Sequence, residues 1–128
     1  MAVTLLFSNV GATTCSLYGY PGVAGLDAGG RQVAQARRTQ SGYFAILPTP
    51  DRVTLPPGAA ASALVDGGDN PLTGSTCPVY PAFLVTAPGA FTSTEVPIGS
   101  PGRTVNGFPG CTGLLVQPVV AGTNGGQP

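Results

Sequence analysis

Residues 9–22 decide how this chain folds, and they read Asn9-Val-Gly-Ala-Thr-Thr-Cys-Ser-Leu-Tyr-Gly-Tyr-Pro-Gly22. The stretch opens with turn-forming residues at Asn9 and Gly11, continues from Cys15 with strand-like composition, and ends at Pro21-Gly22. Asparagine and glycine adopt turn conformations at little cost, and proline interrupts a β-ladder, so the stretch predicts turn, strand and turn. Before it, residues 2–8 alternate between two faces and predict a first strand.

The rest of the chain repeats this arrangement of short apolar runs separated by turn residues. Its 128 residues include 20 glycines and 14 prolines, and these are spread along the chain rather than clustered. Such spacing predicts an all-β fold, an immunoglobulin-like antiparallel β-sandwich of about eight strands with little or no helix. The clearest turn is Pro56-Pro57-Gly58, and the runs 52–55 and 59–65 on either side of it predict a hairpin.

The length predicts one domain, which we place at residues 1–121 and follow with a flexible tail at 122–128. Met1 is followed directly by the first strand pattern, without the charged and apolar regions of a signal peptide. We therefore expect further sequence upstream of Met1. The longest apolar run, residues 114–121, is too short to span a bilayer, so we predict no transmembrane segment in this chain.

Charge composition argues against several classes of function. The chain has five arginines, no lysine, no histidine and five carboxylates, with a net charge of zero. Binding to nucleic acid requires a basic surface that displaces counterions, and binding to anionic membranes has a similar requirement. Without histidine or lysine, the Ser-His-Asp, Cys-His and Ser-Lys arrangements of nucleophilic catalysis cannot form within this chain. We predict that the chain is not an enzyme and carries no cofactor.

The carboxylates allow two further hypotheses, calcium binding and glycoside hydrolysis. Asp66 and Asp69, in the segment 66–70, are the closest pair in sequence, and their oxygens could contribute to a calcium site. A solvated loop that uses Asp, Gly and Asn for its turns explains the same residues. Two carboxylates across a cleft could also support glycoside hydrolysis, although the five acids are scattered along the chain.

Aromatic residues are the candidates for a recognition surface. Tyrosine is favoured where an apolar ring meets a wet edge, and it is enriched in binding hot spots. We therefore predict a binding surface formed by Tyr18, Tyr20, Tyr43 and Tyr80. The alternative is that these rings pack in the core and at its rim.

Three cysteines, Cys15, Cys77 and Cys111, indicate an oxidising compartment and lack the short spacing of zinc or redox sites. The residues alone leave three pairings open. If the runs 79–87, 92–98 and 112–121 form a meander, Cys77 and Cys111 lie at the same end of one sheet. That arrangement favours a Cys77–Cys111 disulfide, with Cys15 as the odd thiol.

Several of these motifs together resemble those of an actinobacterial family of secreted proteins and lipoproteins whose domain has no known function. The resemblance extends from about Leu5 to Val120 and is carried by the following blocks: Asn9-x-Gly11, Cys15-Ser16-Leu17, Gly19-Tyr20-Pro21-Gly22, Val53-Thr54-Leu55-Pro56-Pro57-Gly58 with Ala61-x-Ala63, Cys77, and Cys111 with Leu115-x-x-Pro118-Val119.

The resemblance implies a β-sandwich exported to the cell envelope and often tethered there by a lipid. It further implies an additional first strand whose cysteine would pair with Cys15, and a Cys77–Cys111 disulfide. It provides no catalytic residues.

Taken together, the sequence predicts a non-enzymatic β-sandwich module, secreted or held in the cell envelope, that binds a protein or another envelope component. A calcium-binding or small-ligand domain is the alternative, and a carboxylate-only hydrolase is the third hypothesis. An edge strand left exposed would also allow the chain to form a homo-oligomer.

Overall fold

The structure is a computed structural model, and it describes residues 2–41, 50–67, 79–98, 107–109 and 113–126. About 56% of these residues lie in strands, and none lies in a helix. The strands, in chain order, are β1 Ala2–Ser8, β2 Cys15–Tyr18, β3 Gly22–Leu26, β4 Gln32–Gln35, β5 Arg37–Arg38, β6 Arg52–Leu55, β7 Ala60–Gly67, β8 Val79–Tyr80, β9 Ala82–Thr86, β10 Ser93–Pro97, β11 Phe108–Pro109, β12 Leu114–Val116 and β13 Val120–Ala121.

Most of the described strands belong to two sheets. The first has the order β1-β7-β12-β5, and β13 pairs with the part of β7 that β12 leaves open. The second has the order β10-β9-β3-β4. Two short ribbons, β2–β6 and β8–β11, complete the described pairings. All of these pairs are antiparallel except β12 with β5, which is parallel. The predicted all-β sandwich is confirmed.

The main core lies between the two sheets. Leu5, Val65 and Val116 contribute to it from the first sheet, and Val23 and Phe83 contribute from the second. Alternation places these residues on the inner faces of their strands, as the period of two requires. Phe83 is fully buried, and its ring lies 5.2 Å from that of Phe108, in a tilted arrangement that aromatic pairs favour.

The predicted hairpin around Pro56-Pro57-Gly58 is wrong in its pairing. The turn exists, because the Ala59 N–H donates to the Pro56 carbonyl at 3.0 Å, and strands flank it on both sides. However, β6 pairs with β2, and β7 pairs with β1, β12 and β13. Both edges of β7 are therefore occupied, and the chain turns from one layer into another instead of folding back on itself.

The predicted meander is also wrong in its last strand. Strands β9 and β10 do form a hairpin, closed by the Ala90 N–H donating to the Ala87 carbonyl. Strand β12 leaves this sheet and pairs with β7 in the other one. The argument that placed Cys77 and Cys111 at the same end of a meander therefore does not hold, and both cysteines lie outside the described residues.

The corner between β1 and β2 is organised by Asn9, which is 9% exposed. Its amide nitrogen donates to the carbonyls of Thr13 and Leu55, at 2.8 Å each. Its amide oxygen accepts from the Gly11 N–H at 2.9 Å. The Asn9 backbone also pairs with the turn before β7, accepting from Gly58 and donating to Ala59. Through its side chain and its backbone, Asn9 thus connects the β1–β2 corner to the end of β6 and to the β6–β7 turn.

Residues 122–126, within the segment predicted to be a flexible tail, lie against the outer face of β7. Gly125 is buried, and its N–H donates to the Ser62 hydroxyl at 2.8 Å. A Cβ placed on Gly125 would come within 2.6 Å of Leu64 Cγ, so the chain passes directly over that side chain. Ser62 and Leu64 are both buried, and Val120 also packs against Leu64. Within the described part of the chain, no helix has the length and hydropathy that membrane crossing requires.

Candidate binding surface

The β2–β6 ribbon presents the most distinctive exposed side chains among the described residues. Its inner face packs Val53 and Leu55 against β7 and Val119. Its outer face, which we call the ribbon surface, consists of Ser16, Tyr18, Arg52 and Thr54. The cross-strand register places Tyr18 opposite Arg52 and Ser16 opposite Thr54. Alternation in both strands therefore directs all four side chains away from the core.

Tyr18 and Arg52 form a pair that is held in place but accessible. The Arg52 guanidinium carbon lies 5.9 Å from the centre of the Tyr18 ring, within the range of a cation–π contact. The same guanidinium donates to the Ser16 hydroxyl at 3.1 Å. Tyr18 nevertheless stays 57% exposed. Among the described residues, Arg52 has no ion-pair partner, so its guanidinium keeps donors for an incoming acceptor.

A groove of about 280 Å³ runs beside this pair. One wall is residues 50–54, which include all of β6 except Leu55, and the other is residues 118–121. The second wall is fixed to the ribbon because the Val119 N–H donates to the Gly19 carbonyl at 2.9 Å. Arg52 belongs both to the ribbon surface and to the groove lining. A ligand could therefore contact the exposed ring, the cation and a groove whose lining is mostly apolar but also includes Asp51 and Thr54.

The predicted binding surface of four tyrosines is wrong for Tyr80. Tyr80 is only 5% exposed, and its ring packs against Gly25 in the core, so it is not a surface residue. Tyr20 is half-buried and lies 5.8 Å from the Arg38 guanidinium carbon. Tyr43 lies outside the described residues. Among the tyrosines that the structure describes, Tyr18 is the exposed one.

Among the cysteines, Cys15 is an exposed free thiol at the start of β2, opposite Leu55. The proposed disulfide between Cys77 and Cys111 lies outside the described residues.

The carboxylates are distributed over separate elements. Asp27 stabilises the β3–β4 turn, where one of its oxygens accepts from the N–H groups of Gly29 and Arg31. Asp66 is fully buried in β7, whereas Asp69 and Asn70 of the suggested calcium loop lie outside the described residues. In the described ranges, no three His, Cys, Asp or Glu side chains are close enough to hold a metal ion.

Sequence reasoning did not identify Arg52 or the groove. Arg52 is 34 positions from Tyr18 in the chain, and the two meet only because β2 pairs with β6. The available signal was the alternation of 52–55, which marked Arg52 and Thr54 as one face and Val53 and Leu55 as the other. That signal fixes a face, but it does not identify the strand that lies opposite.

Comparison with known proteins gives one family. The family model described as Domain of unknown function (DUF4232) matches residues 1–119. No curated protein and no solved structure matches the chain.

Proposed function

We propose a binding function for this chain, which belongs to the family of domains of unknown function DUF4232. The module recognises a protein or another cell-envelope component through the ribbon surface and the adjoining groove. The observation that carries this proposal is the exposed Tyr18–Arg52 pair at the edge of a groove of about 280 Å³.

The physical basis is the chemistry of these two side chains. Tyrosine and arginine are enriched among the residues that dominate binding energies, because each offers a large contact area together with directed hydrogen bonds. Pairing across the ribbon holds both side chains in place before a ligand arrives, which lowers the conformational entropy lost on binding. The guanidinium suits a carboxylate or carbonyl acceptor, and the groove beside it suits an apolar group of the same ligand.

A role without catalysis fits the same residues. The chain has no histidine or lysine to act as a base beside a nucleophile. The ribbon surface offers two hydroxyls, a phenol and a guanidinium. Groups of this kind suit ligand recognition better than proton transfer.

We also propose that the module works outside the cytoplasm, secreted or in the cell envelope. The cysteine usage and the resemblance to secreted proteins and lipoproteins support that location. Self-association through an exposed strand edge is compatible with this role, because the ribbon surface and the outer strands of the two sheets are different elements.

The test is removal of the Tyr18–Arg52 pair in the intact chain. We expect the double variant Tyr18→Ala/Arg52→Ala to fold and to lose at least about tenfold in the recovery of its ligand from an envelope extract of the source cells. Quantitative mass spectrometry of material retained by immobilised wild-type and variant chains provides the measurement.

Val33→Ala/Arg37→Ala is the matched control. It removes an exposed apolar residue and an exposed arginine from β4 and β5, neither of which pairs with a strand of the ribbon. Components that bind at the ribbon surface should be lost with the first variant and retained with the control. If no component depends on Tyr18 and Arg52, or if both variants lose the same ones, the ribbon surface is not the binding site.

The Cys77–Cys111 disulfide remains our proposal, and the neighbouring described residues support it. In the β8–β11 ribbon, Val79 lies opposite Pro109. Cys77 precedes Val79 by two positions and Cys111 follows Pro109 by two, so an antiparallel ladder continued that far would pair the two cysteines.

Peptide mapping without reduction tests this pairing. We expect a Cys77–Cys111 cross-linked peptide and a Cys15 peptide that reacts with a thiol reagent, since Cys15 is exposed. A peptide that links Cys15 to either of the other two cysteines would overturn the assignment.

A further inference from the structure

Arg38 is a second exposed arginine on the side of the molecule that carries the groove beside Arg52. Strand β7 pairs with β1 along one edge and with β12 and β13 along the other. Strand β5, which contains Arg38, pairs with β12 on the side away from β7. Arg38 therefore lies on the side of the first sheet where residues 118–121 form one wall of the groove.

The register of β5 places Arg38 beside the start of that wall. Arg38 lies opposite Val116, and the Thr39 N–H donates to the Val116 carbonyl at 3.0 Å. Val116 precedes Pro118, the first residue of the wall, by two positions, so their Cα atoms are at most about 7 Å apart. Arg52 lines the opposite wall. The groove of about 280 Å³ thus has an arginine in one wall and a second arginine next to the start of the other.

Each of the two arginines is placed over a tyrosine ring. The Arg38 guanidinium carbon lies 5.8 Å from the centre of the Tyr20 ring, within the range of a cation–π contact, and Arg52 has the same relation to Tyr18. Between the two tyrosines stands Gly19, whose carbonyl accepts a hydrogen bond from the groove wall. A guanidinium that stacks on a ring stays charged and keeps donors in its own plane for an acceptor.

The charges around the groove favour an anionic partner. Neither arginine has an ion-pair partner among the described residues. Asp51 is the carboxylate in the groove lining, and its Oδ1 already accepts from the Arg52 backbone N–H at 2.8 Å. The site therefore presents two cations, with one negative charge and a mostly apolar lining beside them.

We propose that the partner at this site is a protein, bound through an extended acidic segment in which two carboxylates flank an apolar side chain. This inference rests on the proposed binding function and adds Arg38 to the site. One carboxylate pairs with Arg52 and the other with Arg38, since arginine binds carboxylates through two parallel hydrogen bonds. The apolar side chain between them enters the groove.

The lining distinguishes such a segment from an anionic polymer. A chain with a phosphate or sulfate on every unit would bring further negative charge toward Asp51, and like charges brought together at an interface cost binding energy. The apolar walls also offer that polymer little to bind. A peptide with separated carboxylates avoids the repulsion and fills the groove with a side chain.

Selection of peptides on the intact chain tests this proposal. A random peptide library displayed on phage is selected on immobilised wild-type protein, and the most enriched peptide is measured by fluorescence anisotropy. We expect acidic residues on both sides of an apolar residue among the enriched sequences. Because exposed ion pairs are screened by salt, affinity should fall at least about tenfold between about 0.05 M and about 0.5 M NaCl.

Three arginine variants show which cations the peptide uses. Arg38→Gln and Arg52→Gln should each weaken binding at least about fivefold, with unchanged circular dichroism. Arg37→Gln is the matched control, since Arg37 is exposed on the same strand and alternation directs it to the opposite face from Arg38. It should change the affinity by less than about twofold.

The outcomes separate this inference from the proposed function. Peptides that need Arg52 but not Arg38 would overturn the inference and leave the proposed function standing, whereas peptides that need neither would contradict both. Enriched peptides without acidic residues, or no enrichment at all, would also overturn the inference. Polyphosphate is the probe for the other class of partner. If it binds through Arg38 and no acidic peptide does, the partner is an anionic polymer and the acidic segment is wrong.

Discussion

Asn9→Asp is expected to lower the free energy of unfolding by about 3–5 kcal/mol at neutral pH, although the two side chains have almost the same shape. The Asn9 amide nitrogen donates to the Thr13 and Leu55 carbonyls, and the substitution replaces that donor by a carboxylate oxygen. Two favourable contacts become oxygen–oxygen repulsions in a site that is only 9% exposed. The bond from the Gly11 N–H survives, but it cannot offset the loss of two.

The stability that Asn9→Asp loses relative to the wild type should increase as the pH rises. Burial and the two carbonyls raise the pKa of the introduced carboxyl in the folded state above its unfolded value of about 3.9. Below that pH the carboxyl is protonated in both states and can again donate to one carbonyl. The stability gap between the variant and the wild type should therefore be smallest near pH 4. It should widen as the pH rises through the folded pKa and level off above it.

Urea unfolding of both proteins at several pH values measures this gap. Gln35→Glu is the matched control, since it makes the same exchange of amide for acid at an exposed oxygen that accepts from Gln32. It should change stability by no more than about 0.5 kcal/mol. If Asn9→Asp costs as little as Gln35→Glu, Asn9 does not hold this corner.

Predictions that depend on neighbouring residues were correct, whereas predictions of which strands pair, which depend on residues far apart in sequence, were wrong. Alternation correctly indicated that residues 2–8 form a strand with two faces, because a period of two is a property of neighbouring residues. The turn at Pro56-Pro57-Gly58 was also predictable from local chemistry. The partners of β6 and β7 were not predictable, because they depend on Asn9 and on strands far away in sequence, which local patterns do not encode.

The candidate site shows the same division. Tyr18 and Tyr80 have similar sequence surroundings, since each ends a short strand and is followed shortly by proline. Tyr18 is exposed because its strand pairs with the outlying β6, whereas Tyr80 turns into the core because Gly25 leaves room for its ring. A glycine 55 positions away therefore decides which tyrosine is available to a ligand.

The contact between Gly25 and Tyr80 leads to the second large effect, for Gly25→Ala. Gly25 is buried in β3, and a Cβ at this position would lie 2.8 Å from Tyr80 Cδ1 and 2.9 Å from Cγ. Atoms that close must separate. The Tyr80 ring cannot move freely, because its backbone is paired with Phe108 and packs closely against Gly107. We expect a loss of about 2–3 kcal/mol from overpacking.

Gly22→Ala in the same strand provides the control. A Cβ there would meet Thr86 at 3.5 Å, an ordinary contact, and fewer unfolded conformations should make this variant neutral or more stable by up to about 1 kcal/mol. Thermal and urea unfolding of both variants measure the difference. Two alanines in one strand would then have opposite effects, and the close approach of Tyr80 would be the cause. Equal effects at the two positions would mean instead that strand propensity governs both, and that the Tyr80 ring can move aside at little cost.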